Sequence, residues 1–262
     1  MATLSDKYVA GFLDADGYVG LNLNGDGRKP TIYVTFSQRA DRDRVIRMIH
    51  ELHGGSIIDR KVGEGRYTDL SLRATAAIKL LNRVAKHLVI KRAYAYRLME
   101  LEKERMTKEE MRKLIKEART VRSLPLPNFP PRKWLAGYFD GDGCVSVNDI
   151  SSNGSARMIA TIATQNCDTE GLEVIQKNFG GAMYDMAKGR CKQWRLLLQP
   201  SKALHFLGYF ARHSIIKRDQ IDYILNRAAM GPFSNGHDIK AALKRLKANE
   251  HRLSESGAAC TA

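Results

Sequence analysis

The stretches VAGFLDADG, Val9 to Gly17, and LAGYFDGDG, Leu135 to Gly143, are near-copies of one another. Each sets a small pair, Ala10-Gly11 or Ala136-Gly137, inside an apolar run and follows it with Asp-small-Asp-Gly. A Gly costs about 1 kcal/mol relative to Ala inside a helix, so its repetition at one place in two helical runs predicts close approach by another backbone. Two such helices can pack on each other. Their acids fall at the helix C-terminus, where the macrodipole disfavours negative charge by roughly 0.3 to 1 kcal/mol per group, and a cation would remove that conflict. If the helices pair about a pseudo-twofold axis, Asp16 and Asp142 come side by side, offering the hard carboxylate oxygens that Mg²⁺ or Ca²⁺ takes as ligands. Asp14 and Asp140 are read instead as acids that hydrogen-bond at the helix ends.

The repetition extends well beyond the motif. Asp16 to Asp142, Gly54-Gly55 to Gly180-Gly181, and Lys91 to Lys217 in VIKR and IIKR are each an offset of 126. Gln38 to Gln165 is 127, read as a one-residue slip in the hairpin. An offset held over such a span predicts duplication of one unit. Ser5 is the expected N-cap of the first motif helix, which Gly17 ends. Val19, Leu21 and Leu23 then alternate with polar positions. After a Gly25-Asp26-Gly27 turn, Ile32, Val34 and Phe36 do the same, which makes a hairpin. Asp41 is a candidate cap for a helix carrying Val45, Ile46 and Ile49. Two strands follow, the second with Leu70 and Leu72 on one face, and then a helix-rich stretch from Thr75 to about Glu104. Thr107 to Glu110 reads as a capping box, the run LPLPNFPP from Leu124 to Pro131 as an extended linker, and Asp238 to Asn249 as a short basic helix. The expected fold is α+β: tandem αββαββα repeats about a pseudo-twofold axis, with the motif helices at the repeat interface and antiparallel sheets forming a saddle. The divisions expected are 1–122, a linker at 123–133, 134–253, and a mobile tail at 254–262.

The 262 residues suffice for two core-forming units. Forty-three Lys and Arg against 28 Asp and Glu give a formal charge of +15, which favours a polyanionic partner. The four cysteines show no C-x-x-C pair and no metal-ligand spacing with the seven histidines. With no signal peptide and no apolar run of about 18 residues, the expectation is an intracellular chain, in cytoplasm, nucleoid or organelle matrix, with no membrane partner.

On the two motifs and the duplicated architecture around them, the sequence resembles the LAGLIDADG homing endonucleases in their single-chain, two-motif form. That resemblance implies a monomeric, divalent-metal-dependent endodeoxyribonuclease. It would cut both strands of a duplex across the minor groove and leave short 3′ overhangs; because the two repeats carry different outward side chains, the target is expected to be long and non-palindromic. It implies Mg²⁺ as cofactor, with Mn²⁺ as a substitute and Ca²⁺ supporting binding without cleavage. It carries the metal-ligand role to Asp16 and Asp142, and a supporting role to the backbone carbonyls of Ala15 and Gly141. Gln38 and Gln165 match residues that order water near the scissile phosphate, and Lys91 and Lys217 a basic residue that polarises water or stabilises charge. Arg42 matches a peripheral basic position whose counterpart is taken as Thr169, which makes the half-sites unequal.

A sheet with one apolar and one polar face packs the first on helices and offers the second outward. Here that second face carries side chains suited to base edges in a major groove. The candidate readers are Asn22, Asn24, Arg28, Tyr33, Thr35, Tyr67, Asp69 and Arg73 in the first repeat, and Asn148, Arg157, Gln193, Arg195 and Gln199 in the second. Two other functions fit the same scaffold: an RNA-binding intron maturase, and a non-cleaving DNA-binding regulator. Retention of both Asp16 and Asp142 favours the nuclease, because a binding module has no need of paired metal ligands.

Overall fold

The computed structural model describes residues 4–121, 125–149, 156–165, 169–185, 193–198, 200–231 and 237–247. The first motif forms helix α1 (Asp6–Asp16), N-capped by Ser5, whose Oγ accepts the Tyr8 N–H at 3.3 Å. Gly17 then turns the chain directly into strand β1 (Gly17–Asn22). There follow β2 (Thr31–Arg39), a 3₁₀ turn at Ala40–Arg42, α2 (Arg44–His53), β3 (Ser56–Val62), β4 (Gly65–Arg73), α3 (Thr75–Val84), α4 (Arg92–Leu101) and α5 (Lys108–Ala118). The second half runs α6 (Arg132–Asp142), β5 (Gly143–Asp149), β6 (Ala156–Gln165), α7 (Glu170–Phe179), β7 (Ala182–Asp185), β8 (Gln193–Leu198), α8 (Pro200–Phe210) and α9 (Arg218–Ala229). A helix α10 spans 237–247. The strands make two antiparallel sheets of matching order, β1-β2-β4-β3 and β5-β6-β8-β7. The fold is therefore α+β, built from one unit used twice.

The pairing registers correct the expected hairpin slip. Gly17 pairs with Phe36 and Gly143 with Ile162, while Thr35 pairs with Ser71 and Thr161 with Leu197, so every offset is 126. The core dictates this. Ile32, Val34 and Phe36 match Met158, Ala160 and Ile162, all fully buried, and a one-residue slip would move each set to the opposite face of its sheet. The register counterpart of Gln38 is therefore Thr164, and Gln165 stands at the position of Arg39. Helices α2 and α7 keep the same spacing, so Arg42 corresponds to Asp168 and Asp43 to Thr169. Asp41 lies in the 3₁₀ turn and caps nothing. Asp43 precedes α2, but its carboxylate is taken by Arg47 Nε at 2.8 Å and the Thr68 hydroxyl at 3.0 Å.

Tight turns recur at the same places. Gly54-Gly55 and Gly180-Gly181 all have positive φ, and a Cβ at Gly55 or Gly181 would stand 2.8 Å from the carbonyl oxygen of Ser71 or Leu197. The capping box forms as the sequence predicts, with the Thr107 N–H donating to Glu110 Oε2 at 2.7 Å and the Glu110 N–H to Thr107 Oγ1 at 3.2 Å. It starts α5 beside the first hairpin, where the Gly27 N–H donates to the Met106 carbonyl at 3.0 Å and the Met106 N–H to that of Arg28 at 3.2 Å. Among the described residues, no helix is long and apolar enough to cross a membrane.

The two halves share one hydrophobic core through the α1/α6 pair. A Cβ on Gly11 would fall 1.9 Å from the Trp134 carbonyl oxygen, and one on Gly137 would fall 2.1 Å from that of Tyr8. Position 8 plus 126 is 134, so each glycine admits the residue that corresponds to the other's partner. Such reciprocity is the mark of a twofold interface. Phe12, Trp134, Tyr138 and Phe139 are fully buried around it, each worth roughly 1.5 to 3 kcal/mol of apolar burial.

Candidate active site

The C-termini of α1 and α6 end side by side. A Cβ on Gly141 would lie 2.4 Å from the Ala15 Cβ and 3.0 Å from Asp16 Oδ2, so the end of one motif helix rests against the carboxylate of the other. Burial pushes the Asp142 carboxyl up to about 7, and the nearby Asp16 charge adds to the rise, while Lys91 and Lys217 oppose it. Asp16 is raised too, chiefly by desolvation, with Lys217, Lys91 and a hydrogen bond from Gln38 Nε2 pulling the other way. Two carboxylates this close share the repulsion that a divalent cation relieves.

Two lysines hold the helix ends. Lys91 Nζ donates to the carbonyls of Leu13 at 2.8 Å, Asp14 at 2.7 Å and Gly17 at 2.9 Å, and stands 3.5 Å from that of Ala15. Lys217 Nζ donates to Phe139 O at 2.9 Å and to Asp140 O, and stands 3.4 Å from Gly141 O. Burial lowers the Lys217 ammonium, against the attraction of Asp140 and Asp16. These cations satisfy the orphan carbonyls and offset the negative end of the macrodipole, which is the conflict the motif poses in the sequence. Each lysine is thus a helix cap, with its ammonium directed to carbonyl oxygens. Lys91 reaches the Ala15 carbonyl least closely, and Lys217 that of Gly141.

The first acid of each motif is a loop anchor, in line with the sequence reading. Asp14 accepts from the backbone N–H groups of Val89, Ile90 and Lys91 at 2.7, 3.2 and 2.8 Å. Asp140 accepts from those of Ile215, Ile216 and Lys217 at 2.7, 3.1 and 3.2 Å, and from the Ser214 hydroxyl at 2.6 Å. Both are buried. Each also accepts from an aromatic of the opposite motif helix, Trp134 Nε1 at 2.8 Å for Asp14 and the Tyr8 hydroxyl at 2.5 Å for Asp140. Sequence reasoning missed Tyr8 and Trp134. Their matched offset and their place two residues before each Ala-Gly pair were the available signal.

Asp16, Asp142, Ala15, Gly141, Gln38, Lys91 and Lys217 converge on this centre. Gln165 ends β6 paired with Gln193, one register step from Gln38's place; its side chain lies outside the described residues. Arg42 lies in the 3₁₀ turn and lowers the Lys217 ammonium through its charge.

Of the readers, Tyr33, Thr35, Tyr67, Asp69 and Arg73 share one sheet face. Tyr33 pairs with Arg73, and Asp69 is paired opposite Ser37 and Ile58. Asn22 and Asn24 are exposed along the β1 edge. Arg28 is not on the sheet; it lies in the turn bridged to Met106. In the second repeat Asn148 pairs with Arg157, and Arg195 with Ala163 and Tyr184. The side chains of Asn148, Arg157, Gln193 and Arg195, and all of Gln199, fall outside the described residues. Two further residues belong to the first repeat's face. Arg60 pairs with Asp69, stands 3.3 Å from Ser37 Oγ and lies over the Tyr67 ring. Tyr18, half exposed, packs on Tyr33 and accepts from Arg119 Nη2 at 3.1 Å.

Among the described residues no group of three or more His, Cys, Asp and Glu forms a closed metal site. A pair of carboxylates with carbonyls beside it instead fits a cation that keeps waters and takes its remaining ligands from a substrate phosphate, as Mg²⁺ does.

A profile of the LAGLIDADG endonuclease family matches residues 135–230. No curated protein matches the chain. Among solved structures, the LAGLIDADG homing endonuclease I-GzeII in complex with its DNA target is 15% identical, with a TM-score of 0.62 over 93% of this chain and 97% of that one. I-SmaMI bound to cleaved DNA is 15% identical, with a TM-score of 0.61 over 97% and 96%. I-SmaMI bound to an uncleaved target with calcium ions is 14% identical, with a TM-score of 0.60 over 97% and 98%. With the motif on both interface helices, residues 135–230 match the LAGLIDADG endonuclease family's sequence pattern, and nearly the whole chain shares the fold of the two-repeat LAGLIDADG homing endonucleases.

Proposed function

We propose that the protein is a site-specific DNA endonuclease that makes a double-strand break in a long, asymmetric target by divalent-metal-dependent phosphodiester hydrolysis. The observation that carries this reading is the pair of carboxylates, Asp16 and Asp142, held together at the ends of two glycine-locked helices. Structural relatives bound to DNA, one cleaved and one uncleaved with calcium, support the substrate and the class of cofactor. The +15 charge suits a phosphate backbone.

Asp16 and Asp142 would hold Mg²⁺, with the Ala15 and Gly141 carbonyls, those the two lysines reach least closely, as further candidate ligands. A bound divalent cation supplies charge stabilisation at the scissile phosphate and a lowered pKa for water. The chain's own residues supply the positioning. Gln38 fixes the Asp16 carboxylate, and Lys91 and Lys217 pin the helix ends and keep positive charge beside the acids. The glycine contacts at positions 11 and 137 fix the spacing of the two centres, and therefore of the two cuts, which we place across the minor groove with short 3′ overhangs. The outward sheet faces read the flanking bases. Because Tyr33, Arg73 and Tyr18 have Ile159, Gln199 and Cys144 as counterparts, the half-sites differ and the target is not a palindrome. The protein acts as a monomer, since both halves of the site lie in one chain.

Selection of cut sites from a library of long duplexes in Mg²⁺ tests this. A rare site cut on both strands with 3′ overhangs is expected. Binding of a selected duplex without cleavage would support the regulator reading, and rescue of intron splicing without cleavage the maturase one.

A further inference from the structure

We propose that Tyr8 and Trp134 are positioning residues acting across the repeat interface: each steadies the aspartate that fixes the opposite repeat's lysine-bearing loop. The half of the active site built on Lys91 therefore depends on an aromatic from the second repeat, and the half built on Lys217 on one from the first.

The chain of contacts is continuous in both directions. Trp134 Nε1 donates to Asp14 Oδ2, and Asp14 gathers the backbone N–H groups of residues 89–91. That loop ends in Lys91, whose ammonium returns to the carbonyls of Leu13 and Asp14. The Tyr8 hydroxyl donates to Asp140 Oδ2, Asp140 gathers residues 215–217, and Lys217 returns to Phe139 and Asp140. Trp134 is fully buried and Tyr8 is 2% exposed, so water cannot replace a lost donor, and a carboxylate missing one partner in such a place holds its loop less firmly.

The two sides are not equal. Asp140 has an additional donor in the Ser214 hydroxyl at 2.6 Å, where the first repeat has Leu88. Among the described residues Asp14 has no such spare side-chain donor, so the loss of Trp134 matters more than the loss of Tyr8. Trp134 also stacks on Tyr138, with ring centroids 4.9 Å apart. Phenylalanine there keeps a ring on Tyr138 and removes only the donor.

Amide hydrogen exchange on the full chain, free of metal and DNA, reads the inference directly. In Trp134→Phe the amides of 89–91 should exchange roughly 10- to 150-fold faster, the factor for losing one hydrogen bond to a charged group, with those of 215–217 unchanged. In Tyr8→Phe the reverse should hold, with a smaller factor. Trp134→Tyr should restore protection, because a tyrosine already serves at the matching position 8. Urea midpoints measured alongside separate local loosening from loss of global stability. Equal change in both loops in either variant, or no change in either, would overturn the proposal.

Strand-resolved cleavage adds a readout that rests on the nuclease reading. On a duplex the wild type cuts, labelled on one strand at a time, Trp134→Phe should slow one strand and Tyr8→Phe the other. Equal slowing of both strands contradicts positioning in trans. A wild type that cuts no duplex refutes the proposed function and leaves the exchange result to decide this inference.

Discussion

The two repeats carry the same glycines, acids and lysines, at a spacing of 126, at the shared helix pair. They part company on the sheet face turned away from it. Gly11 and Gly137, Asp14 and Asp140, Asp16 and Asp142, and Lys91 and Lys217 form matched pairs. Tyr18 against Cys144, Tyr33 against Ile159, Ser71 against Leu197 and Arg42 against Asp168 do not match. Close packing explains the first set. A backbone approach that leaves no room for a Cβ, and a helix end held by one ammonium, tolerate few alternatives. The outer face has no such constraint, and each half is free to fit its own partner surface. Gln38 against Thr164 falls between these cases: Gln38 lies near the end of β2 and donates to Asp16, and the strand register sets a threonine at its counterpart.

The largest effect should come from breaking the shared part. Gly11→Ala and Gly137→Ala each place a methyl within about 2 Å of an opposing backbone oxygen, which side-chain adjustment cannot relieve. Each should cost about 3 kcal/mol or more, read from urea unfolding. A tolerated alanine at either position would contradict the helix contact.

The carboxylate pair gives the next effect, and its sign is fixed. The folded Asp142 carboxyl sits at about 7, above the ordinary value of about 3.9, so the folded state favours the protonated form. Stability of the metal-free protein should therefore fall as pH rises from about 4 to about 7 and remain low above it. Asp142→Asn should flatten that dependence and raise stability at about pH 8 by about 2 kcal/mol, with little effect near pH 4. Added Ca²⁺ should restore the wild type and not the variant. Urea midpoints with chelator and with Ca²⁺ measure both.

The lysines sharpen the comparison. Lys217 is 5% exposed, whereas Lys91 is partly exposed, so water can take over some of the Lys91 carbonyls and few of those of Lys217. Lys217→Met should cost about 1 to 2 kcal/mol and Lys91→Met less. Both should lower cleavage, since the end of each motif helix positions an acid. The smallest effect on the fold should be Arg73→Ala, within about 0.5 kcal/mol. Its consequence is confined to recognition: a loss of about 1 to 3 kcal/mol in preference at one base of one half-site. Unchanged cleavage across all single-base variants would reject Arg73 as a reader.

Much of this was legible in the chain. The motif copies dictated the helix pair, because the glycine penalty demanded a backbone neighbour, and the acids at a helix C-terminus demanded a compensating cation. What the residues could not show was that the protein supplies its own cations first, since Lys91 and Lys217 reach the helix ends only through the loops that Asp14 and Asp140 gather. Gln38 and Gln165 misled because a shared residue type outweighed the register. The apolar triplets Ile32, Val34, Phe36 and Met158, Ala160, Ile162 already fixed the spacing at 126. Tyr8 and Trp134 read as core aromatics, and only their partners across the interface give their polar atoms a role. Arg60 and Arg119 came from elements whose outward sides carry no alternation to mark them.

The central claim is that Asp16 and Asp142 together hold the metal that cuts DNA. The most direct test is strand-resolved cleavage of a selected duplex in Mg²⁺ by the wild type, Asp16→Asn and Asp142→Asn, with binding of the same duplex measured in Ca²⁺. The account predicts that either asparagine lowers double-strand cleavage by about a hundredfold or more while the folded protein still binds. Cleavage of both strands at the wild-type rate by either variant would contradict it.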